Sequence, residues 1–381
     1  MLSSNGSGII YLDNAATTFP KPRGVIDSAI ECISLYCANP GRSVHKLAVK
    51  AAEKIYETRE VISSYLGLSS PERIVFTSNA THALNIAIQG SLDHKCHVII
   101  SDLEHNSVLR PLNNAVSRIG IEYSSFNSDT DIEASISELV RPDTEFLIST
   151  LQSNVTGKII PPDIIARVSK KYRLKTIVDA SQYLGHHRID LSKYGFDILC
   201  APGHKGLFGL QGTGILVLNS DLSPTPLILG GSGSNSLDPG MPSYLPDRYE
   251  GGTVNTPGIV SMSAGVNYLM RLGEKDISER IEALTRRLYD ILKSVGVRLY
   301  GCEDGIASFL LGGYSSSEIS ALINEDGIAT RSGLHCAPSV HSKLGTTSSG
   351  LVRVSLSILN TNDDLEKLYK SLYRIKKEYI G

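Results

Sequence analysis

The chain has 381 residues, 41% of them hydrophobic and 20% charged, with a formal net charge of −2. This is the composition of an ordinary globular protein, long enough for two or three domains, and it excludes a disordered chain. With no block of like charge there is neither a footprint for nucleic acid nor a polybasic patch for a membrane, so a small ligand is expected.

The amino-terminal stretch "MLSSNGSGIIYLDNAATT" lacks a basic region followed by an apolar core. No later run is apolar for the ~20 residues of a membrane span, so a cytoplasmic chain is expected. Six apolar runs then read as buried strands: "RIVFTS" (73–78), "HVIISD" (97–102), "FLISTL" (146–151), "KTIVDA" (175–180), "FDILCA" (196–201) and "GILVLN" (214–219). Between several of them lie helical patterns such as "ATHALNIAIQGSL", "HNSVLRPLNNAVSRIG" and "PPDIIARVSKKYR". That alternation predicts an α/β fold around a mostly parallel, doubly wound sheet. From Leu229 to Gly258 the chain is rich in Gly, Ser and Pro and predicts a long functional loop or a boundary. A helical pattern follows over about Ile259–Val295, then short strands and helices of a smaller α+β domain. The expected division is an N-terminal arm over 1–20, a large domain over 21–257 and a small domain over 258–381.

In a sheet of this kind ligands gather at the carboxyl ends of the strands. Thr77 to Thr81, Glu104 with His105, Ser153 with Asn154, Asp179 to Gln182, and His204 with Lys205 are candidates by position. Lys205 lies in "CAPGHKGLFGLQGTG", among five glycines. A phosphate-binding P-loop is disfavoured, because its lysine opens a helix and is followed by Ser or Thr. A solvated turn lysine and a lysine that forms a Schiff base with a carbonyl cofactor both remain open. Asp179 ends a buried run and needs a cationic partner, such as the pyridinium of pyridoxal phosphate, or else caps a turn. The six cysteines show no C-x-x-C pair, which argues against disulfides or a zinc site. Cys336, in "RSGLHCAPSVHSKLG", has Arg331, His335, His341 and Lys343 nearby, and positive neighbours favour a thiolate. Cys200 sits in an apolar run, as an inert core cysteine does.

Taken together, these motifs resemble the class V aminotransferase family of pyridoxal phosphate enzymes (fold type I), and within it the cysteine desulfurases and selenocysteine lyases. The resemblance runs from "YLDNAATTFPKP" at Tyr11 to "VRVSLSILNT" ending at Thr361. It implies Lys205 as the Schiff-base lysine, His204 at the cofactor phosphate, Asp179 at the pyridinium, Gln182 at the ring oxygen and His105 stacked on the ring. It implies further that Ala80 and Thr81 grip the phosphate at a helix amino terminus, where the dipole favours an anion. Asn154 would lie near the ring and the substrate carboxylate, Arg353 would bind that carboxylate as a fork, and Ala16 would touch the substrate. His105 and Thr81 could instead be simple helix caps, and Arg353 a surface residue. Relatives carry serine where this chain has Pro202, so the phosphate lacks one local ligand, and Thr253 in "YEGGTVNTPG" would supply one across a homodimer. "RSGLHCA" is similar to the motif of the catalytic cysteine, here Cys336. The implied activity is conversion of L-cysteine to L-alanine with a persulfide on Cys336, for sulfur mobilisation or iron–sulfur cluster assembly through an acceptor protein. Selenocysteine is the rival substrate, and other class V lyase or aminotransferase activities are the wider alternative.

Overall fold

The computed structural model describes residues 8–41, 44–234 and 237–380, so the first seven residues of the expected N-terminal arm lie outside it. The described residues form two compact units. One comprises residues up to Pro20, Gln152–Ile159 and the chain from Gly273 onward; the larger comprises Lys21–Leu151 and Ile160–Leu272.

The larger unit is built on a seven-stranded sheet in the order Ile74–Thr77, Gly214–Leu218, Ile198–Pro202, Lys175–Asp179, Thr144–Thr150, His97–Ser101, Glu122–Phe126. Only Gly214–Leu218 runs against its neighbours, and the rest point one way. All six expected strands are present. Two of them, "IVFT" and "GILVL", are buried at every position because helices cover both faces. The seventh strand, Glu122–Phe126, lies at the sheet edge with a largely exposed "EYSS", which leaves no apolar run to read. Helices Ala80–Ser91 and Asn106–Ile119 contribute to the core beside Val75, Val98, Ile148 and Ile177. Helix Thr256–Leu272 packs against helices Arg23–Leu35 and Lys46–Leu66, which keeps it with the larger unit, past the expected 257/258 border. The single helical pattern expected over 259–295 is two helices, Thr256–Leu272 and Glu274–Val295, parted at Gly273 with φ of 83°. The stretch 219–255 forms no helix or strand among its described residues.

The smaller unit holds a four-stranded antiparallel sheet in the order Arg331–Gly333, Leu351–Ser355, Ile306–Leu310, Arg298–Glu303. Helices Glu274–Val295, Ser316–Glu325 and Asn362–Ile375 close its core around Leu288, Phe309, Val352 and Leu368. The short strand Ile10–Tyr11 pairs in parallel with Ile328–Ala329. No helix among the described residues is long and apolar enough to cross a membrane.

Candidate active site

In the larger unit, strands Ile74–Thr77, His97–Ser101, Lys175–Asp179 and Ile198–Pro202 run in one direction, so the segments after them gather along one edge of the sheet. Asp179 ends its strand 3% exposed, with Oδ1 accepting the Ser181 N–H at 2.9 Å. It forms no ion pair among the described residues. Gln182 follows in the next turn, half-buried. Glu104 is fully buried; one oxygen accepts the Thr150 N–H at 2.8 Å and the Ser101 hydroxyl, while the other has no partner. Burial, and to a smaller degree the charge of Asp179, pushes the Glu104 carboxyl up to about 8. Two acids therefore sit at this edge, and Glu104 is neutral at pH 7.

His105 caps helix Asn106–Ile119: its Nδ1 accepts the Ser107 N–H at 3.0 Å, which leaves the proton of the neutral ring on Nε2. The cap of helix Ala80–Ser91 is Asn79 and not Thr81, because the Asn79 side chain accepts the His82 N–H at 2.8 Å. Ala80 begins that helix, and the exposed Thr81 keeps its hydroxyl 2.7 Å from that of Ser107. Lys205 lies half-buried in the turn after Pro202. The glycines around it are a steric necessity: a Cβ on Gly203 would overlap the Thr213 side chain, and one on Gly206 the Leu184 carbonyl. The His204 ring is pushed down to about 4, first by burial and then by Lys205 and Lys21. Lys21 itself donates to the His204 carbonyl at 2.7 Å, and burial pushes its amine down to about 7. Sequence reasoning passed over this second amine; its one signal is a lysine between two prolines in "FPKP". Thr253 is exposed, accepts from Asn39 Nδ2 at 3.3 Å, and lines a cleft of about 560 Å³ with Tyr56 and Arg59.

In the smaller unit Arg353 is 2% exposed on strand Leu351–Ser355, so it is no surface residue. Its Nη2 donates to Asp13 at 2.7 Å and its Nη1 to the Asn154 carbonyl at 3.0 Å, while Nε has no partner. The guanidinium fork expected for a ligand is thus partly engaged by the chain itself. Asn154 donates through Nδ2 to the His335 carbonyl at 2.7 Å and leaves Oδ1 without a partner. Ala16 lies half-buried in the turn behind Asp13, donating its N–H to the Asp13 carbonyl at 3.1 Å. Cys336 is exposed, and both it and His335 have left-handed φ values. His335 is pushed down to about 3 by burial, then by Arg353 and His341, and His341 is also lowered by burial. Both rings are therefore neutral at pH 7. Two of the four positive neighbours expected for Cys336 carry no charge. Among the other thiols, Cys200 is fully buried and raised well above the ordinary range, and Cys302 is pushed up to about 12 by burial. Cys37 is the other exposed one.

The profile of the family Aminotransferase class-V matches residues 10–368. A probable cysteine desulfurase of Methanothermobacter thermautotrophicus is 31% identical over 382 residues, covering 96% of this chain and 94% of that protein. A cysteine desulfurase of Klebsiella pneumoniae is 30% identical over 388 residues, covering 98% and 95%. Among solved structures, the apo cysteine desulfurase of Thermococcus onnurineus NA1 superposes with a TM-score of 0.90 at 28% identity, over 97% of this chain and 95% of that one. The cysteine desulfurase CsdA of Escherichia coli, in its S-sulfonic acid form, gives 0.86 at 25% identity, with the same coverage of 97% and 95%. The architecture is accordingly that of fold type I of the pyridoxal phosphate enzymes. With the profile matched along nearly its whole length, the chain belongs to the class V aminotransferase family.

Proposed function

We propose that the protein is a pyridoxal phosphate-dependent cysteine desulfurase, which takes sulfur from L-cysteine, releases L-alanine and retains the sulfur as a persulfide on Cys336. The observation that carries this is the state of Cys336: an exposed thiol in a strained backbone, beside a buried Arg353 and Asn154 that keep unpaired polar atoms. The full-length relatives named cysteine desulfurase support the same activity.

The chain's own residues fit the cofactor. Asp179, a buried carboxylate without a cation, suits a protonated pyridine nitrogen, and Lys205 supplies the amine for its carbonyl. Thr81, Ala80 and His204 would hold the phosphate, Gln182 and Asn154 the ring substituents, and His105 the ring face. Bound there, the cofactor supplies an electron sink for the substrate carbon. Arg353 and Asn154 orient the substrate carboxylate, with Ala16 nearby, and Asp13 keeps the guanidinium aligned. The Cys336 thiolate attacks the substrate sulfur: the S–S bond forms, the C–S bond breaks, and its electron pair stays on carbon. Lys205 then moves a proton to that carbon, which completes alanine.

Six cysteines without a disulfide suit a cytoplasmic enzyme, from which the persulfide passes to an acceptor protein. The same proposal makes the enzyme a homodimer. The test is Cys336→Ser. A hydroxyl is too weakly acidic to replace the thiolate. The variant should keep its cofactor absorbance and lose alanine formation from cysteine, and selenocysteine assayed in parallel sets the substrate preference. Wild-type alanine output from Cys336→Ser would overturn the proposal.

A further inference from the structure

Behind Cys336 lies a buried pair of imidazoles that the reaction above does not use. His335 and Cys336 are consecutive non-glycine residues with φ of 51° and 56°. L-residues rarely hold that conformation, and it persists only where the surroundings impose it. Three contacts do so here. The His335 carbonyl accepts from Asn154 Nδ2 at 2.7 Å, and the Ala337 N–H donates back to the Leu334 carbonyl at 2.9 Å. The third runs through the rings: His335 Nδ1 is 3.3 Å from His341 Nε2, and His341 Nδ1 is 2.9 Å from the Thr346 hydroxyl. His341 has no exposure at all and Thr346 has 1%, so water does not compete for these bonds.

Because both rings are neutral, this chain has two arrangements. Thr346 can donate to His341, which then donates to His335 and leaves a proton on His335 Nε2. Alternatively, the donors run the other way and His335 Nε2 is an acceptor. In both arrangements the His335 ring is held in place, with its Nε2 buried. We propose that His341, backed by Thr346, is a positioning residue for Cys336, holding the His335–Cys336 backbone in the left-handed conformation that presents the thiol. This rests on Cys336 being the nucleophile.

The test compares the holoenzyme with His341→Leu, His341→Gln and Thr346→Val, reading kcat and KM for cysteine, cofactor absorbance and the persulfide yield on Cys336. Leucine fills the space without a hydrogen bond, whereas the glutamine amide still reaches His335. The leucine variant should lose about tenfold or more in kcat and in first-turnover persulfide yield, with KM within about threefold and absorbance unchanged. Glutamine should restore most of that loss, and Thr346→Val should show a smaller loss of the same kind. A leucine variant with wild-type kcat overturns the proposal. So does equal loss in leucine and glutamine variants, or a wild-type rate in Thr346→Val when His341→Leu fails to fold. Failure of the underlying activity is separate, because it shows as full alanine output from Cys336→Ser.

Discussion

Glu104 shows how burial on a sheet edge sets the protonation state of an acid. It has no exposure, a carboxyl oxygen without a partner and the charge of Asp179 nearby. Unfolded, the Glu104 carboxyl titrates near its ordinary 4.5; folded, burial raises it to about 8. Between those values the folded chain holds a proton that the unfolded chain has released. Its contribution is fully present below the lower value and is lost as pH rises through the higher one. Glu104→Gln cannot titrate, so melting temperature measured from about pH 5 to 9 should fall less steeply in the variant than in the wild type. Parallel curves would show that Glu104 is charged in the folded protein. At this scale the sequence was legible where a residue ends a strand, as Asp179 does, or closely follows one, as His105 and Lys205 do. It was not legible where the partner is far away in the chain: Asp13 beside Arg353, or Lys21 at the His204 carbonyl. Nor did the basic residues around Cys336 reveal that two are buried and neutral, since charge in sequence carries no information about desolvation.

The turn that carries Lys205 is set by its glycines more than by the lysine. Strand Ile198–Pro202 ends against Gly214, and the next residues pass so close to Leu184 and Thr213 that Gly203 and Gly206 have no room for a side chain. The obstacle at Gly206 is backbone, which cannot rotate away. Gly206→Ala should therefore lower the unfolding free energy in urea by about 1–3 kcal/mol, with poorer retention of cofactor through dialysis. Gly24, inside helix Arg23–Leu35, meets nothing within 4 Å, so Gly24→Ala should raise stability by about 0.4–1 kcal/mol. A Gly206→Ala variant as stable as the wild type would remove the steric account of the turn. The buried strands were legible because parallel strands covered on both faces must be apolar throughout. The edge strand Glu122–Phe126 and the break at Gly273 were not, because an exposed strand needs no apolar run and a helical period continues across a single glycine.

At the scale of the whole molecule, helix Arg23–Leu35 carries two apolar stripes. Val25, Ala29 and Cys32 are buried, while Ile26, Ile30 and Ile33 are 40%, 55% and 63% exposed. Both stripes recur at helical spacing, and a single chain can bury only one of them. In the homodimer proposed above, a second copy would cover the exposed stripe. In that homodimer Thr253, exposed on the larger unit, would reach a phosphate on the partner. Ile30→Lys combined with Ile33→Lys should turn a dimer into a monomer in sedimentation and abolish activity. The sharper measurement mixes subunits. Thr253→Asp sets a carboxylate against a phosphate, and Lys205→Ala removes the essential amine, so each homodimer is inactive or nearly so. If Thr253 acts across the interface, the mixed dimer has one site bearing both lesions and one site intact, and activity returns toward half that of the wild type. If Thr253 acts within its own subunit, both sites of the mixed dimer carry one lesion each and no activity returns. A wild-type protein that sediments as a fully active monomer would rule out the shared site altogether.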